Sequence, residues 1–172
     1  AMVTTMIGAN QHENCRGIHL NMPWVRPDPA TMDDLTTEEQ ESIAAGKFYR
    51  DWDSGYSKQQ STRPQTVGYG LVDSPSGQAA WIIEKFYAWT DNDGSPEDVL
   101  TRDELLDNVM IYWLTETAAS SARLYWESFG TARPGNVEIP MGGSIFPKEI
   151  TRPSRRWAEQ RFKNIVHWNR LD

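Results

Sequence analysis

The sequence has a single cysteine, Cys15, and no long hydrophobic run. One cysteine excludes an internal disulfide and is typical of a reducing compartment. No apolar stretch approaches the roughly 20 residues that a membrane-spanning helix needs, and the first residues lack the basic segment and apolar core of a signal peptide. The sequence therefore predicts a soluble, cytoplasmic chain without a membrane segment.

Basic residues are also few. The 172 residues include 17 Lys and Arg against 24 Asp and Glu, so the formal net charge is -7. Such a charge repels phosphate backbones, and no basic stripe interleaved with aromatic residues offsets it. We therefore predict that the chain has no nucleic-acid partner.

The usual motifs for cofactors and metals are missing as well. The chain has no glycine-rich phosphate loop and no Cys or His pair at zinc spacing. The DNDG at 91–94 lacks the alternating acids and closing glutamate of a calcium loop, and therefore predicts a turn. His19 and His167 stand in apolar strand patterns, which favours structural roles over catalytic ones. These observations predict neither a cofactor nor a metal.

Tryptophan, by contrast, is abundant, with eight residues. Five of them stand on helical patterns in the middle of the chain: Trp52, Trp81, Trp89, Trp113 and Trp126. Buried indoles usually fill a hydrophobic core, and this is the favoured interpretation. The alternative is an aromatic pocket that receives a ligand.

The hydrophobic pattern divides the chain into three zones, 1–22, 23–136 and 137–172. The first zone has a helical pattern followed by a short buried strand at 17–22, and the prolines of PWVRPDP then form a stiff connector. The last zone has the order strand, helix, strand, which is typical of a parallel sheet. Its three segments are 137–139, RPSRRWAEQRF and 165–168. The sequence thus predicts an α/β fold in which a mostly helical domain is inserted between a few parallel strands of an incomplete sheet.

Capping residues predict where helices begin in the middle zone. Thr36 with Glu39 and Thr101 with Glu104 each form a capping box, and Ser74 precedes a first-turn proline. In each case a side-chain oxygen can accept a hydrogen bond from a backbone N–H of the first turn. We therefore expect helices to start after positions 36, 74 and 101.

Two helical stripes carry aromatic residues. The first consists of Ala45, Phe48, Trp52 and Tyr56. The second consists of Ala118, Ala122, Tyr125 and Phe129. The second stripe places small alanines beside the ring of Tyr125. On the pattern alone, both tyrosines are interpreted as amphipathic core residues whose hydroxyls reach solvent.

The segment GGSIFPKEITRP, 142–153, predicts a stiff loop bounded by glycines and prolines. It follows the apolar run Val-Glu-Ile-Pro, which predicts the strand at 137–139. The loop holds one carboxylate, Glu149. On the residues alone, this carboxylate faces water or pairs with Arg152.

Three segments carry a family resemblance: GYSKQQSTRPQTVGYGLVDSPSGQAAWIIEKFYAWTD, NVMIYWLTETAASSARLYWES and IPMGGSIFPKE. In this order they resemble epoxide hydrolases of the microsomal type, which have the α/β-hydrolase fold. The match covers nearly all of the chain. The resemblance implies a helical cap domain at 23–136 between core-sheet pieces at 1–22 and 137–172.

The resemblance also implies roles for particular residues. Tyr56, in the GY before QSTRP, and Tyr125, in RLYWES, correspond to the cap tyrosines whose hydroxyls hydrogen-bond the epoxide oxygen. Glu149, in Phe-Pro-x-Glu, corresponds to the acid that orients the catalytic histidine, and a carboxylate fixed at the end of a strand suits that role. Met22 and Phe146 are expected in the substrate pocket.

Other parts of the family's catalytic machinery have no counterpart in the sequence. The nucleophile is an aspartate in a Gly-x-Asp-x-Gly turn, expected before AMVTTMIG, and the histidine follows a Gly-Gly pair expected after HWNRLD. The oxyanion-hole donors come from the nucleophile turn and an upstream loop. The resemblance therefore implies an internal fragment that is inactive alone. In the complete enzyme, the substrates would be water and a small apolar or aromatic epoxide.

Two other functions stay open on the sequence. Another capped α/β-hydrolase, such as an esterase or dehalogenase, shares the layout but has no reason to carry two tyrosine donors in the cap. A non-catalytic helical interaction module requires a complete chain and predicts a protein partner. The flanking coding sequence distinguishes them, because an epoxide hydrolase predicts the aspartate turn upstream and Gly-Gly-His downstream.

Overall fold

The computed structural model describes residues 1–11, 13–131 and 133–171. Its helices are, in chain order, α1 (Met2–Ala9), α2 (Thr37–Phe48), α3 (Gly55–Thr62), α4 (Pro64–Asp73), α5 (Pro75–Trp89), α6 (Arg102–Leu114), α7 (Ala118–Ser128) and α8 (Arg155–Ala158). Its strands are β1 (Ile18–Leu20), β2 (Met141–Ile145) and β3 (Ile165–Arg170). No helix among these described residues is long and apolar enough to cross a membrane.

Packing divides the chain into two compact units. The sheet unit comprises Ala1–Asp53 and Arg133–Asp172, and the helical unit comprises Ser54–Ala132. The helical unit therefore starts later than the cap domain predicted at 23–136, because residues 23–53 pack within the sheet unit.

Long-range polar contacts hold residues 23–53 in the sheet unit. The Trp157 indole N–H donates a hydrogen bond to Thr31 Oγ1 at 2.8 Å. The Arg161 guanidinium donates another to the Trp24 carbonyl oxygen at 2.5 Å. These contacts join residues far apart in the chain, so no local sequence pattern indicates the boundary that they create.

The strands form a parallel sheet in the order β1, β2, β3 in the part of the chain that the structure describes. β1 pairs with β2 from Ile18 and Met141 to Leu20 and Gly143, and Gly143 pairs in turn with Trp168 of β3. Parallel neighbours need crossover connections, and α8 lies in the connection between β2 and β3. The helical unit falls between β1 and β2 in sequence. The predicted α/β fold with a helical insertion is confirmed.

The central strand begins later than the sequence predicts. At the expected strand, 137–139, an isolated bridge joins Val137 to Phe162, and β2 begins at Met141. Pro140 separates the two, since proline has no backbone N–H to donate to a ladder. The prediction of a strand at 137–139 is therefore wrong, and the loop predicted from 142 begins at Phe146.

Two glycines let neighbouring side chains cover the central strand. A Cβ atom at Gly142 would lie 2.6 Å from His19 Nδ1, and one at Gly143 would lie 2.7 Å from Trp168 Cε3. Both distances are too short for a real Cβ contact, so a side chain at either position would displace a ring. On the sequence alone, the Gly-Gly pair predicts a loop. The structure shows that the strand needs these glycines because the rings of His19 and Trp168, from the neighbouring strands, cover them.

Glu39 is a fully buried carboxylate in the sheet unit. It accepts hydrogen bonds from Ser154 Oγ at 2.6 Å and from Arg156 Nε at 2.7 Å. It also accepts one from the Thr36 backbone N–H at 3.0 Å, which confirms the predicted capping box at the start of α2. Hydrogen bonding from Arg156 lowers the pKa of Glu39 from 4.5 to about 2. Glu39 therefore ties α2 to the N-terminus of α8.

We expect Glu39→Gln to lower the free energy of unfolding by about 2 kcal/mol, because it removes the buried counter-charge of Arg156, which is 36% exposed and keeps an ion pair with the exposed Asp34. Urea unfolding at neutral pH measures the loss. The matched control is Glu159→Gln, which removes an exposed ion pair with Arg155 and should cost less than about 1 kcal/mol. Equal losses in the two variants would contradict this role for Glu39.

The same carboxylate should make stability depend on pH. The folded-state pKa of Glu39 lies below its unfolded value. Its contribution to the free energy of unfolding is therefore complete above pH 4.5 and is lost as the pH falls toward 2. The Glu39→Gln variant should therefore lose less stability across this interval than the wild type. Urea midpoints measured from neutral pH down to about pH 3 test the difference.

The helix starts predicted in the helical unit are confirmed. The Gly77 N–H donates to Ser74 Oγ at 3.0 Å at the start of α5, and the Glu104 N–H donates to Thr101 Oγ1 at 3.3 Å at the start of α6. Each cap satisfies a backbone donor that has no partner within its own helix.

The continuous helical face predicted from Ala45 through Phe48 and Trp52 to Tyr56 is wrong. α2 ends at Phe48, a π-helical turn follows at Tyr49–Asp53, and Tyr56 belongs to the separate helix α3. A π turn holds more residues than an α turn, so the spacing does not carry across it. Phe48 and Trp52 are 63% and 80% exposed.

Small residues bring α4 and α7 close together. A Cβ atom at Gly68 of α4 would lie 2.8 Å from Ala119 Cβ, so glycine is needed at this contact. Ala118 and Ala122 of α7 are buried, as the second stripe predicts. The close contact fixes the helix that carries Tyr125.

Candidate active site

The helical unit contains an open groove of about 520 Å³. Helices α3 to α7 all contribute to its lining, and most of the lining side chains are apolar or aromatic. The aromatic members are Tyr56, Trp81, Phe86, Trp89, Tyr112 and Tyr125. A groove with this lining and volume suits a small organic ligand.

The structure brings the two tyrosines singled out by the sequence together in this groove. Tyr56 of α3 and Tyr125 of α7 are both half-buried, and their ring centres lie 6.0 Å apart with the planes at 82°. Trp89 packs edge-on against Tyr56 at 5.4 Å, and Phe129 stacks on Tyr125 at 4.5 Å. Both rings are therefore held by aromatic neighbours.

The mid-chain tryptophans do not fill a core. All five are described by the structure, and none of them is buried. Trp52 and Trp126 are 80% and 58% exposed, while Trp81 and Trp89 line the groove. The favoured interpretation of these residues as core is wrong. The alternative, an aromatic pocket, fits Trp81 and Trp89.

Two polar residues of the groove, Gln78 and Lys85, were not indicated by the sequence. Gln78 is 2% exposed, and its side-chain carbonyl oxygen has no hydrogen-bond partner among the described residues. Lys85 Nζ lies 4.7 Å from the centre of the Tyr56 ring. Both belong to α5, where they stand seven positions apart on the helical face that includes Ile82 and Trp89. That shared face is the sequence signal that could have identified them.

Glu149 lies on the loop after β2, in the sheet unit. Its backbone N–H donates to the Phe146 carbonyl oxygen at 3.3 Å, and its Oε1 accepts a hydrogen bond from the Ile150 backbone N–H at 2.8 Å. Arg152 donates to the Pro147 carbonyl oxygen at 2.6 Å, and no ion pair joins it to Glu149 within the described residues. Local backbone contacts, rather than Arg152, therefore hold the carboxylate.

A second groove of about 480 Å³ lies beside Glu149. Its lining comes from the loop after β2, from α2 and from the turn that follows α2. Lys148 and Arg152 contribute to this lining next to the half-buried Glu149. The carboxylate thus lies against open space that another side chain can enter.

Met22 and Phe146, expected in the substrate pocket, lie in the sheet unit and line neither of these two grooves. Met22 is half-buried and Phe146 is 44% exposed. Their placement in a substrate pocket stays a prediction.

The two histidines of the sheet are exposed, although apolar strand patterns surround them. His19 Nε2 and Ser144 Oγ are 2.9 Å apart and share a hydrogen bond, and the His19 and His167 ring centres lie 5.9 Å apart. The hydrogen bond agrees with a structural role for His19. No cluster of three or more potential metal ligands is found within the residues that the structure describes.

Comparison with known proteins gives a consistent set of relatives. A Stigmatella aurantiaca protein with the provisional name epoxide hydrolase is 51% identical over 100% of this chain and 39% of that protein. Epoxide hydrolase 1 of Oryctolagus cuniculus is 31% identical over 98% of this chain and 43% of that protein. The structure of Aspergillus niger epoxide hydrolase matches 97% of this chain and 42% of that one, with a TM-score of 0.82 and 29% identity. No family model matches.

The chain therefore spans about two fifths of the length of these relatives, in sequence and in structure. In the other direction, each of these matches covers at least 97% of this chain. The sheet, the helical insertion and the loop after β2 thus correspond to a continuous part of a larger architecture.

Proposed function

Since this chain belongs to the epoxide hydrolases with the α/β-hydrolase fold, we propose that it supplies the helical cap and one catalytic carboxylate of an enzyme that hydrolyses an epoxide to a vicinal diol. The observation that carries the proposal is the pairing of Tyr56 and Tyr125, whose ring centres lie 6.0 Å apart on one groove. We assign the cap role to the helical unit, Ser54–Ala132, together with the residues that precede it from position 23.

The chemistry of epoxides explains why two phenols are needed. The three-membered ring is strained, but its alkoxide leaving group is poor, so a nucleophile must attack carbon while a donor acts on oxygen. A phenol is protonated at neutral pH and can donate a hydrogen bond. In an apolar groove, donors fixed before the reaction favour the developing alkoxide more than the ground-state ether. Tyr56 and Tyr125 are assigned this role.

The attacking group would be an aspartate carried by a segment outside these 172 residues. Its attack on the epoxide carbon forms an alkyl-enzyme ester and breaks a carbon–oxygen bond of the ring, and the ring oxygen takes a proton from one of the two phenols to become a hydroxyl. The phenolate regains its proton when the carboxylate is restored. Water then attacks the ester carbonyl, which releases the diol and restores the carboxylate. The histidine that activates this water is also assigned to a segment outside the chain.

Glu149 is assigned to that second step. A histidine that takes a proton from water needs its other ring nitrogen held by a fixed carboxylate, which also stabilises the imidazolium that forms. The hydrogen bond from the Ile150 backbone N–H leaves the other carboxylate oxygen of Glu149 available for such a partner. The open groove beside Glu149 supports the same role.

The lining of the groove favours an apolar or aromatic epoxide. Trp81, Phe86 and Trp89 present rings to a substituent and would exclude bulk water from the reacting oxygen. We therefore expect styrene oxide and similar aryl epoxides to be better substrates than small polar ones.

A chimera tests the proposed function. Residues 1–172 would replace the matching segment of the Stigmatella aurantiaca relative, so that the host supplies the rest of the catalytic machinery. We expect the chimera to convert styrene oxide to its diol, as measured by chromatography, and the isolated chain to leave the epoxide intact. The unaltered host is the control. An active host with an inactive, folded chimera, or turnover by the chain alone, would contradict the proposal.

A further inference from the structure

Lys85 lies beside one of the two phenols of the groove. Its Nζ atom is 4.7 Å from the centre of the Tyr56 ring and 5.2 Å from the centre of the Trp89 ring. Its side chain is 19% exposed and forms an ion pair with Glu84, whose Oε2 lies 2.8 Å from Nζ. A positive charge is thus held against aromatic faces in a mostly apolar groove.

The sequence of α5 places this charge in the groove. Gln78, Ile82, Lys85 and Trp89 follow one another at spacings of four, three and four, and all four line the groove. An apolar residue at position 85 would avoid the cost of partly desolvating an ammonium group. Cation–π attraction to the two rings offsets part of that cost. The presence of this charge in spite of its cost therefore indicates a function in the groove.

We propose that Lys85 is a positioning residue that makes Tyr56 the stronger hydrogen-bond donor of the two phenols toward the epoxide oxygen. This inference rests on the proposed function of the groove. As the epoxide opens, the phenol shares its proton with the leaving oxygen, and negative charge grows on the phenol. A nearby cation stabilises that charge, and it does so more strongly in a partly buried site than in water.

Among the described residues that line the groove, Lys85 is the one with a charged side chain. The other titratable side chains there are the phenols Tyr56, Tyr112 and Tyr125. Charged residues on α3 and on the helices that pack against it lie outside the lining: Lys58, Asp73, Glu84, Arg123 and Glu127. Glu84 weakens the field of Lys85 because the two form an ion pair, although Glu84 is 55% exposed.

The ionisation of Tyr56 in the 172-residue chain tests the proposal without any turnover. The chain would be labelled with ¹³C-tyrosine, and the Tyr56 signal assigned by its loss in Tyr56→Phe. Lys85→Met keeps the length of the side chain and removes the charge, so the ionisation midpoint of Tyr56 should move to higher pH. Lys85→Arg keeps a cation that stays protonated where phenols ionise, so the Tyr56 midpoint should not move to higher pH, and Glu84→Gln should move it to lower pH.

The control is Tyr69, a 64% exposed phenol on α4 whose midpoint should stay unchanged. An unchanged Tyr56 midpoint in Lys85→Met, or a shift that Lys85→Arg also shows, would overturn the proposal. If Lys85→Met does not fold, Lys85→Gln replaces it, because it is also uncharged and should likewise move the Tyr56 midpoint to higher pH.

Kinetics of the chimera would then show whether the effect reaches the reaction. Lys85→Met should slow ring opening about tenfold with little change in KM. The loss should vanish in a Tyr56→Phe background and persist in a Tyr125→Phe background. A loss of equal size in both backgrounds would contradict action through Tyr56. The two experiments can fail separately. If the chimera does not turn over the epoxide but the Tyr56 midpoint still responds to Lys85, the proposed function is rejected and the Lys85–Tyr56 coupling is retained.

Discussion

Tyr56→Phe and Tyr125→Phe should each slow the opening of styrene oxide by about two to three orders of magnitude in the chimera. Each change removes one hydroxyl and keeps the ring, so the aromatic packing of the groove is retained. The loss is that of one preorganised donor aimed at a developing oxyanion. Single-turnover formation of the alkyl-enzyme ester measures it, and KM should change little, because the donor acts mainly in the transition state.

Tyr69→Phe is the matched control for these variants. Tyr69 lies on α4 and is 64% exposed, so its hydroxyl has no predicted contact with the substrate. Its removal should leave ester formation unchanged. Wild-type rates in both Tyr56→Phe and Tyr125→Phe would show that the two phenols do not act on the epoxide.

Glu149→Gln should block the second half of the reaction, with ester hydrolysis slowed by up to about four orders of magnitude. A neutral amide cannot stabilise the imidazolium that forms when the histidine takes a proton from water, and its N–H₂ group favours the wrong tautomer of the ring. Ester formation does not need this proton transfer and should change far less. The ester should therefore accumulate.

Intact-protein mass spectrometry after mixing with styrene oxide would detect that ester. Glu138→Gln is a suitable control, because Glu138 is an exposed carboxylate of the same unit. Its ester should turn over at the wild-type rate. A Glu149→Gln protein that stalls before any ester forms would contradict the role assigned to Glu149.

The features that the sequence predicted well are those decided by neighbours in the chain. Ser74 and Thr101 cap α5 and α6 in the structure because each cap needs only a side-chain oxygen and a backbone N–H two or three residues later. The parallel pairing of β2 with β3 also agrees with the predicted rhythm of strand, helix and strand, although the first strand was predicted at 137–139. The capping signals lie within a few residues of one another.

The features that the sequence did not predict depend on contacts between residues that are far apart in the chain. The Gly-Gly pair at 142 and 143 belongs to a strand because side chains from β1 and β3 cover it. The local pattern predicts that Glu39 belongs to a capping box, but its hydrogen bond with Arg156 joins residues 117 positions apart. Neither contact leaves a periodic pattern in the sequence.

The candidate site divides in the same way. Tyr56 and Tyr125 stand out through resemblance to a family, and the structure adds that they share one groove. Lys85 was missed because a lone lysine on a helix is usually solvated, and only the packing of α3 against its neighbours places it near the Tyr56 ring. Polar residues that alternate with apolar and aromatic residues along one helical face are the pattern to search for in related sequences.

A crystal structure of the chimera with bound 2-phenyltetrahydrofuran tests the convergence of the two phenols most directly. This cyclic ether offers an oxygen like that of an epoxide but has no strained ring to open. We expect the hydroxyls of Tyr56 and Tyr125 both to lie within hydrogen-bond distance of the ether oxygen, about 2.5 to 3.2 Å. An ether bound in the groove with its oxygen beyond reach of both hydroxyls would contradict the proposed mechanism.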